Sequence, residues 1–452
     1  ENFKKGHQWG AFPAVGAAWY ISNESFMKNI DNYLSKLKLR VSYGITGNDQ
    51  IGASNRFPYR ESLSTGGGYK LGLKPGVGGD ASDAYGGGTV YENIFAAPGL
   101  TWETESKTNI GLDLGLFNNK VDIAVDWFYN RREDILIQRR TIPSAAGFRK
   151  NPFQNFGITT NSGIDASLVL HHDIGDLKLS SRSTFTYAKN KVKEYDEIPQ
   201  LYDYQYYTGN SIGTPFLYIA EGLYTPDDFD TSVAPNGDII YSLKDGLPRP
   251  AAAANLAPGD IKYKDLNGDG IIDSYDKTYK HGIYSAQPKI VYGFGLNAEY
   301  KGFFGGVFFQ GVGKAHVNLL SKVQNFIPFA NGVDNSSARR ESLDRWTAAN
   351  PYNQNVTYPR MRTSKFPHNL ENSTWWYRTG SFLRLKNVEF GYQFDKKLIK
   401  KLGMQNLRLY VQGVNVGLWD HIKYWDPELG GGSSGAVYPI TGTWTIGLDV
   451  TF

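Results

Sequence analysis

The chain has 452 residues and carries 48 basic and 44 acidic residues, for a formal charge of +4. Because the charge is small and no basic run occurs, a nucleic-acid partner is excluded. The absence of cysteine excludes disulfides, thiolate metal sites and a cysteine nucleophile. Aromatic residues make up 14% of the chain and glycine occurs 51 times, a combination that favours strands and tight turns. The composition predicts an all-β fold.

Alternation of apolar and polar residues predicts a series of β-hairpins. Residues 37–46 read as an early strand, and residues 101–132 contain two alternating runs joined at Asn118-Asn119, a tight-turn signal. Each run has one apolar and one polar face, a pattern typical of strands between lipid and water. Further hairpins of this kind are predicted within residues 163–189, 289–313 and 381–416.

The connections between predicted strands alternate between short turns and irregular stretches of roughly 20 to 100 residues, which a compact soluble domain rarely contains. This pattern predicts a transmembrane antiparallel β-barrel with tight periplasmic turns and long extracellular loops. About eleven strands are expected across residues 1–452, and no segment has the roughly 18 consecutive apolar residues of a membrane helix. Because bacterial barrels close with an even strand number, we expect half of a larger barrel.

A calcium-loop spacing occurs in residues 265–276, within a predicted extracellular loop of residues 190–288. Oxygen ligands at this spacing suit a hard cation, and the sequence predicts a structural Ca²⁺ site. Asp in place of the usual final Glu shortens the reach of the bidentate ligand. An Asx-rich turn closed by its own hydrogen bonds is the alternative. The candidate ligands are Asp265, Asn267, Asp269, Ile271, Asp273 and Asp276.

Four tyrosines in the same predicted loop are candidate contacts for a substrate or a lid protein, because aromatic rings offer rigid surfaces with a polar handle. The alternative is that these rings fold the loop onto itself or meet a partner protein. The four are Tyr202, Tyr204, Tyr206 and Tyr207.

Other aromatic and charged residues have expected faces. The aromatic girdles at the membrane interfaces are expected to include Trp375, Trp376, Tyr377 and Trp444. The charges expected to face a plug or a water-filled lumen include Asp113, Asp122, Asp126, Asp165 and Arg408.

The chain finishes on "TWTIGLDVTF", an alternating strand that ends in an aromatic residue. We expect it to pair with a first barrel strand that is not within these 452 residues. It resembles the C-terminal signal that the outer-membrane assembly machinery reads. The lipid-facing positions of this predicted assembly signal are Trp444, Ile446, Leu448, Val450 and Phe452.

A set of sequence blocks, in one order across nearly the whole chain, resembles the C-terminal part of a SusC/RagA-type TonB-dependent transporter. The resemblance implies a barrel of about 22 strands filled by an N-terminal plug. Residues 1–452 resemble its second half, without the plug or the TonB-binding segment. The blocks are "GLTWETESKTNIGLDLGLFNNKVDIAVDWFYNRREDIL", "GITTNSGIDASL", "GDIKYKDLNGDGIIDSYD", "DRWTAANP", "YPRM", "GSFLRLKNVEFGYQF", "LRLYVQGVNV" and "DPELGG".

The resemblance also implies a function and partners. It implies a non-enzymatic importer in the bacterial outer membrane, which takes oligosaccharides or peptides captured by a SusD-like surface lipoprotein. The TonB–ExbB–ExbD complex would supply energy, and an N-terminal half with its plug would complete the barrel in outer-membrane lipid. The alternative is a surface glycan-binding or glycan-degrading all-β protein, which would not need a lipid-facing surface. No nucleic-acid partner is expected.

Overall fold

An antiparallel sheet of eleven strands, hydrogen-bonded in chain order, dominates the described part of this computed structural model. The described residues are 2–30, 33–50, 57–65, 70–73, 84–86, 90–97, 99–147, 150–330, 338–363, 365–401 and 403–452. The strands are β1 (Ala14–Tyr20), β2 (Leu34–Asn48), β3 (Glu103–Leu116), β4 (Val121–Gln138), β5 (Phe153–Ile174), β6 (Leu177–Glu194), β7 (Ile290–Tyr300), β8 (Phe303–Gly313), β9 (Phe382–Gln393), β10 (Asn406–Asp420) and β11 (Thr443–Thr451).

Short connections lie at one end of the sheet, which we term the short-turn end. Asn118 and Asn119 join β3 to β4 with φ of 58° and 60°, a left-handed backbone that asparagine tolerates better than most residues. Lys301 and Gly302 join β7 to β8, also with positive φ. The predicted hairpins are therefore confirmed.

Long connections lie at the opposite end, termed the long-loop end, and contain small two-stranded sheets. Their paired strands are Ser62–Thr65 with Val90–Ile94, Lys70–Leu73 with Ala84–Gly86, Ala220–Leu223 with Ile261–Tyr263, Phe229–Val233 with Ile239–Leu243, Arg249–Pro250 with Ile271–Ile272, and His316–Asn318 with Tyr377–Thr379. The alternation of short and long connections agrees with the prediction.

Helices are short. The α-helices of the described residues are Val323–Phe326 and Lys396–Lys400. The 3₁₀ turns are Ile21–Asn23, Ser25–Ile30, Ser144–Ala146, Asp203–Gln205, Pro226–Asp228, Ser274–Asp276, Arg340–Leu343, Pro367–Leu370, Thr374–Trp376, Pro427–Leu429 and Gly432–Gly435. Within the described ranges, none of the helices has the length and apolarity to cross a membrane.

The register gives the sheet one apolar and one polar face. A row of directly paired residues on the outer face consists of Val41, Ile110, Trp127, Ile164 and Tyr187. The next row, on the inner face, consists of Arg40, Gly111, Asp126, Asp165 and Thr186. Since Ile110, Trp127 and Ile164 are each more than 40% exposed, the sheet presents a lipid-compatible outer surface.

The sheet is open at both edges. Among the described strands, β1 pairs with β2 alone and β11 with β10 alone. On β11 the outward side chains of Ile446 and Leu448 are 78% and 62% exposed. An unpaired strand edge in lipid leaves backbone groups without partners, at a cost of several kcal/mol each. The open eleven-stranded sheet is thus consistent with the predicted half-barrel.

Candidate functional site

Three long connections at the long-loop end pack into one unit. Residues 195–289, 314–330, 338–363, 365–381 and 421–442 form what we term the loop domain, which has a hydrophobic core of its own. The core is made by Tyr218, Leu223, Ile261, Tyr263, Ile272, Leu319, Leu320, Phe326, Trp346, Tyr358 and Trp376. The apolar residues of these loops are therefore largely used for packing, and the loops hold a defined shape above the sheet.

Trp376 is the largest fully buried side chain of this core. Its indole nitrogen donates to the Asn369 carbonyl at 3.0 Å, and that of Trp375 donates to the Thr357 carbonyl at 3.0 Å. The prediction that this Trp-Trp-Tyr segment belongs to a membrane girdle is wrong, because loop packing offers these indoles both apolar neighbours and acceptors. Trp444 is 66% exposed on the outer face, as predicted.

Two sequence blocks meet at Gly259. Its φ is +89°, and a Cβ there would lie 2.3 Å from the Trp346 ring, so only glycine lets the indole pack against this backbone. The Gly259 carbonyl accepts from the Arg360 amide at 2.7 Å, and the Trp346 amide donates to the Tyr358 carbonyl at 2.9 Å. The blocks "DRWTAANP" and "YPRM" are thereby fixed against "GDIKY".

Asp260, the next residue, is a fully buried carboxylate. It accepts hydrogen bonds from the Ala257 amide and the Asn369 side-chain amide, each at 2.9 Å, and from the Arg362 guanidinium. The guanidinium also lies 3.7 Å from the centre of the Phe366 ring. A buried charge with this many partners ties separate segments together, because removing any partner leaves it uncompensated.

A second buried ion pair joins the loop domain to the sheet. The side chain of Arg384, on β9, is 3% exposed, and one of its terminal nitrogens donates to both carboxylate oxygens of Asp426 at 2.6 Å. Its Nε lies 2.9 Å from a carboxylate oxygen of Glu428. Both acids belong to the "DPELGG" block, so this contact holds the β10–β11 loop against the wall.

The predicted calcium loop is closed by its own hydrogen bonds. Asp265 accepts from the Gly268 and Gly270 amides at 2.6 and 2.9 Å. Asp276 is fully buried and accepts from the Leu266 and Asp273 amides at 2.7 and 2.9 Å. Burial raises the pKa of the Asp276 carboxyl, although these hydrogen bonds oppose the shift.

This arrangement matches the Asx-turn alternative. The other carboxylates of the loop also accept from nearby amides, Asp269 from Ile271 and Asp273 from Tyr275. Across the described residues, no group of three or more histidine, cysteine or acidic side chains is arranged to hold a metal ion. These carboxylates keep lone pairs that the amides do not use. Calcium binding stays a prediction.

Two of the four predicted tyrosines, Tyr202 and Tyr204, lie against the calcium-type loop. The rings of Tyr202 and Tyr204 stack with centroids 5.2 Å apart, and the Tyr204 hydroxyl donates to the Tyr275 carbonyl at 2.8 Å. Burial, with the neighbouring carboxylate of Asp276, raises the pKa of Tyr204 to about 12. Tyr206 and Tyr207 accept from backbone amides through their hydroxyls. These contacts match the alternative in which the rings fold the loop; a substrate or lid contact stays a prediction.

An open cleft of about 870 Å³ crosses the loop domain. The side chain of Gln354 forms one wall by bonding both the amide and the carbonyl of Leu223, at 2.6 and 3.2 Å. Lys262 and Asp228 form an ion pair of 3.1 Å at its margin. The mixture of opposite charges, amides and an aromatic ring suits the binding of a polar, uncharged ligand. The polar and aromatic lining residues include Glu221, Asp228, Lys262, Gln354, Trp375 and Arg378.

On the inner face, one arginine bridges two other strands. Arg40 on β2 donates to Asp113 on β3 at 2.8 and 3.2 Å and to both oxygens of Asp126 on β4 at 2.9 Å. Gly111 lies beneath the guanidinium, where a Cβ would stand 2.5 Å from a carboxylate oxygen of Asp126. Both acids lie on the predicted lumen face, but they pair within the wall. Asp165, directly opposite Asp126, is exposed on the same face.

A polar hollow of about 550 Å³ lies further along the inner face. Its charged and amide residues are Arg182, Asn297, Asn387, Glu389 and Gln412. Arg408 donates to Glu389, and its guanidinium lies 4.1 Å from the centre of the Phe304 ring. The inner wall is thus polar, as a lumen surface should be.

At the long-loop end, Asp196 fixes the β4–β5 connection. Burial would raise the pKa of its carboxyl, but hydrogen bonds from Arg139, Arg140 and Thr141 together hold that pKa well below its usual range. The stability that this contact supplies is present above the usual carboxyl pKa and is lost as the pH falls below it.

Comparison with known proteins identifies the family. The family described as "TonB dependent receptor-like, beta-barrel" matches residues 2–416. The chain belongs to this family. TonB-dependent receptor P3 of Formosa agariphila is 28% identical over 478 residues, covering 100% of this chain and 43% of the relative. TonB-dependent receptor SusC of Bacteroides thetaiotaomicron is 25% identical over 462 residues, covering 100% of this chain and 41% of the relative. The chain spans less than half the length of these relatives.

A solved structure supports the receptor fold. The RagAB peptide importer in its open-open state matches with a TM-score of 0.71 and 21% identity, covering 100% of this chain and 44% of that chain. The SusC/RagA resemblance, the barrel fold and the bacterial outer-membrane localisation are thereby confirmed. In a barrel of this family, the outer face of the sheet faces lipid and the inner face lines the lumen.

Sequence reasoning missed the ion pairs that join distant segments of the chain. Arg40 has the same parity as Lys36 and Lys38, so the alternation of "LKLRVSY" could have placed it on the lumen face. Its partners could not be predicted, because 73 and 86 residues separate it from Asp113 and Asp126. Asp426 stands in a quoted block, yet nothing local points to Arg384.

Replacing Arg384 by Gln removes the cation that pairs with Asp426 and Glu428, whose side chains are 11% and 24% exposed. We expect the receptor to lose about 3 kcal/mol of stability in this region, because one partner of a buried pair remains uncompensated. Limited proteolysis of the detergent-solubilised protein should then cut within residues 421–437 much faster. Arg408→Gln is the control, since Arg408 and Glu389 are each 33% exposed and the pair should contribute less. Equal cleavage of both variants would contradict the assignment.

Proposed function

We propose that this chain is the C-terminal barrel part of a SusC/RagA-type importer that takes up oligosaccharides or peptides across the outer membrane. The observation that carries the proposal is the family match over residues 2–416. Relatives named as TonB-dependent receptors, including SusC, support it. The receptors of this family favour a non-enzymatic role over the glycan-degrading alternative.

The geometry supports import by providing a polar route. The inner wall carries paired charges and amides, so it can line a hydrated path for a polar solute. The loop domain stands at the long-loop end of that wall, and its cleft is open to solvent. Because its core and two buried ion pairs hold the loops in shape, a captured ligand would meet a preformed surface.

We propose the same partners that the resemblance implies. A SusD-like lipoprotein would cover the loop domain, where Leu201, Val233 and Leu343 are each at least 70% exposed. An N-terminal half-barrel would pair with the open edges of β1 and β11 and bring a plug into the lumen. TonB–ExbB–ExbD would supply energy through that half.

Deleting the gene that encodes this chain should abolish uptake of labelled ligand by the bacterium. A panel of fluorescent oligosaccharides and peptides, measured with and without a protonophore, identifies the class that is lost. Complementation with the intact gene should restore energy-dependent uptake. Unchanged uptake of every ligand in the panel would overturn the proposal.

We further propose that residues 265–276 bind Ca²⁺ as a structural clip. Each carboxylate oxygen of Asp265 uses one lone pair for an amide and retains another acceptor site, which supports the proposal. Chelation with EGTA should speed proteolytic cleavage within this loop of the native protein, and Ca²⁺ should reverse the effect. Asp265→Asn with Asp269→Asn should remove the Ca²⁺ dependence. If EGTA does not change the rate of cleavage, the loop is an Asx turn closed by its own hydrogen bonds and the calcium proposal is wrong.

The alternation of Trp444, Ile446, Leu448, Val450 and Phe452 on the exposed outer face of β11 supports its proposed role as an assembly signal. Deleting Phe452, which is 76% exposed, should lower the amount of heat-modifiable barrel in the membrane. Transport per assembled molecule should not change, because this side chain faces away from the lumen. Normal membrane levels of the deletion variant would refute the role.

A further inference from the structure

A cluster of lysines stands at the long-loop end of three neighbouring strands. The Ala188 amide of β6 donates to the Lys289 carbonyl at 2.9 Å, and the Lys289 amide donates to the Lys314 carbonyl at 3.4 Å. Lys189 follows Ala188 directly in β6. Three lysines from three separate chain segments are therefore brought to adjacent positions at the rim, which we term the lysine cluster.

The cluster begins where the apolar outer face ends. Tyr187 closes the outer-face row that contains Trp127 and Ile164, and the Trp127 ring stacks on that of Tyr129 with centroids 6.5 Å apart. Tyrosine and tryptophan of outer-membrane barrels concentrate at the two membrane–water interfaces. Lys189 stands two positions beyond Tyr187 on the same face, so it lies at the level of the lipid headgroups.

Aromatic rings hold two of the three ammonium groups. The Lys314 ammonium lies 5.3 Å from the centre of the Tyr187 ring, and the Lys289 ammonium lies 4.9 Å from the centre of the Tyr284 ring. Contacts of this kind restrict long side chains that would otherwise move freely. Because Tyr187 faces lipid, the Lys314 charge is directed toward the membrane surface.

None of the three lysines forms an ion pair with an acidic side chain among the described residues. The ion-paired lysines among the described residues are Lys107, Lys262, Lys277 and Lys301. Burial, together with the charges of Lys189 and Lys314, lowers the pKa of Lys289. Neighbouring cations repel each other, and an external anion would relieve that repulsion.

We propose that Lys189, Lys289 and Lys314 form a binding site for the phosphate group of an anionic lipid in the surrounding outer leaflet. Basic residues beside a membrane surface attract anionic headgroups, and each adds about a fivefold factor in affinity at low salt. The aromatic band below the cluster would contact the acyl chains, while the ammonium groups bind phosphate. Lys189 through its position on the strand, and Lys314 through its contact with Tyr187, are on the side of the sheet that faces lipid, away from the solute path.

Native mass spectrometry can test the site on the intact native protein. The protein is extracted and exchanged into mixed micelles with equal amounts of phosphatidylglycerol and phosphatidylcholine, and the bound lipids are counted. We expect enrichment of phosphatidylglycerol, which should fall about tenfold or more in the triple variant Lys189→Gln, Lys289→Gln, Lys314→Gln. Arginine at all three positions should preserve it. Equal enrichment in the Gln variant and the unmodified protein would overturn the proposal.

The matched control removes three exposed lysines of the loop domain, Lys244→Gln, Lys264→Gln and Lys365→Gln, and should keep the enrichment. An equal loss in this control would assign the effect to overall charge and overturn the site. Heat modifiability on an SDS gel shows that each variant has formed its barrel. If Lys189→Gln alone assembles normally, its smaller loss provides the test even when the triple variant does not assemble.

Other anions distinguish the source of the phosphate. Millimolar inorganic phosphate should not displace phosphatidylglycerol, because a free anion lacks the acyl contacts; displacement would assign a small-anion site instead. If the triple variant loses an acidic protein partner yet keeps lipid enrichment, the cluster is a protein interface and the lipid site is refuted. The lysine variants should leave ligand uptake intact, so the lipid site and the import proposal can fail independently.

Discussion

Backbone hydrogen bonding in a membrane is the constraint on which the rest of this structure depends. Lipid offers no partners for N–H and C=O groups, so strands there must pair with neighbours on both sides. The eleven-stranded antiparallel sheet meets this requirement for every internal strand. Side chains alternate between the two faces along each strand, so each residue that faces lipid is followed by one that faces the lumen. This alternation sets the chemistry of both faces. The charges on the inner face and the aromatic rings on the outer face both follow from the same strand register.

Charge burial is the second organising interaction, and it operates where the sheet meets water. Arg384 with Asp426, and Arg362 with Asp260, are withdrawn from solvent and bonded at several atoms. Such pairs add little net stability relative to apolar packing, but breaking one partner is costly. They therefore specify one arrangement of long loops that local propensity would leave undefined. On the inner wall, Arg40 plays a comparable part across three strands, and it separates two acids that would otherwise repel each other.

At the rim of the sheet, the strands that face lipid meet the loops held by buried ion pairs. Tyr187 ends the apolar face, and Lys189 continues the same face into the headgroup layer. This order of apolar, aromatic and cationic residues follows the change in polarity from the hydrocarbon to the aqueous phase. It gives the long-loop end a surface suited to lipid phosphate, while the loop domain above it is suited to soluble ligands and a covering partner. The lipid site and the ligand surface that we propose thus lie on different faces of one architecture.

The sequence alone determined the all-β class, the hairpins, the two faces and the family resemblance, because period-two alternation and turns such as Asn118-Asn119 are local properties of the chain. Tertiary structure decided the contacts between distant segments. It buried Trp376 in the loop core, although its neighbours suggested a membrane girdle, and it placed the Tyr204 hydroxyl in a hydrogen bond with the calcium-type loop. It also selected Arg40 and Arg384 as partners for particular acids. Such choices depend on strand register and on the packing of loops far apart in sequence, which no local pattern encodes.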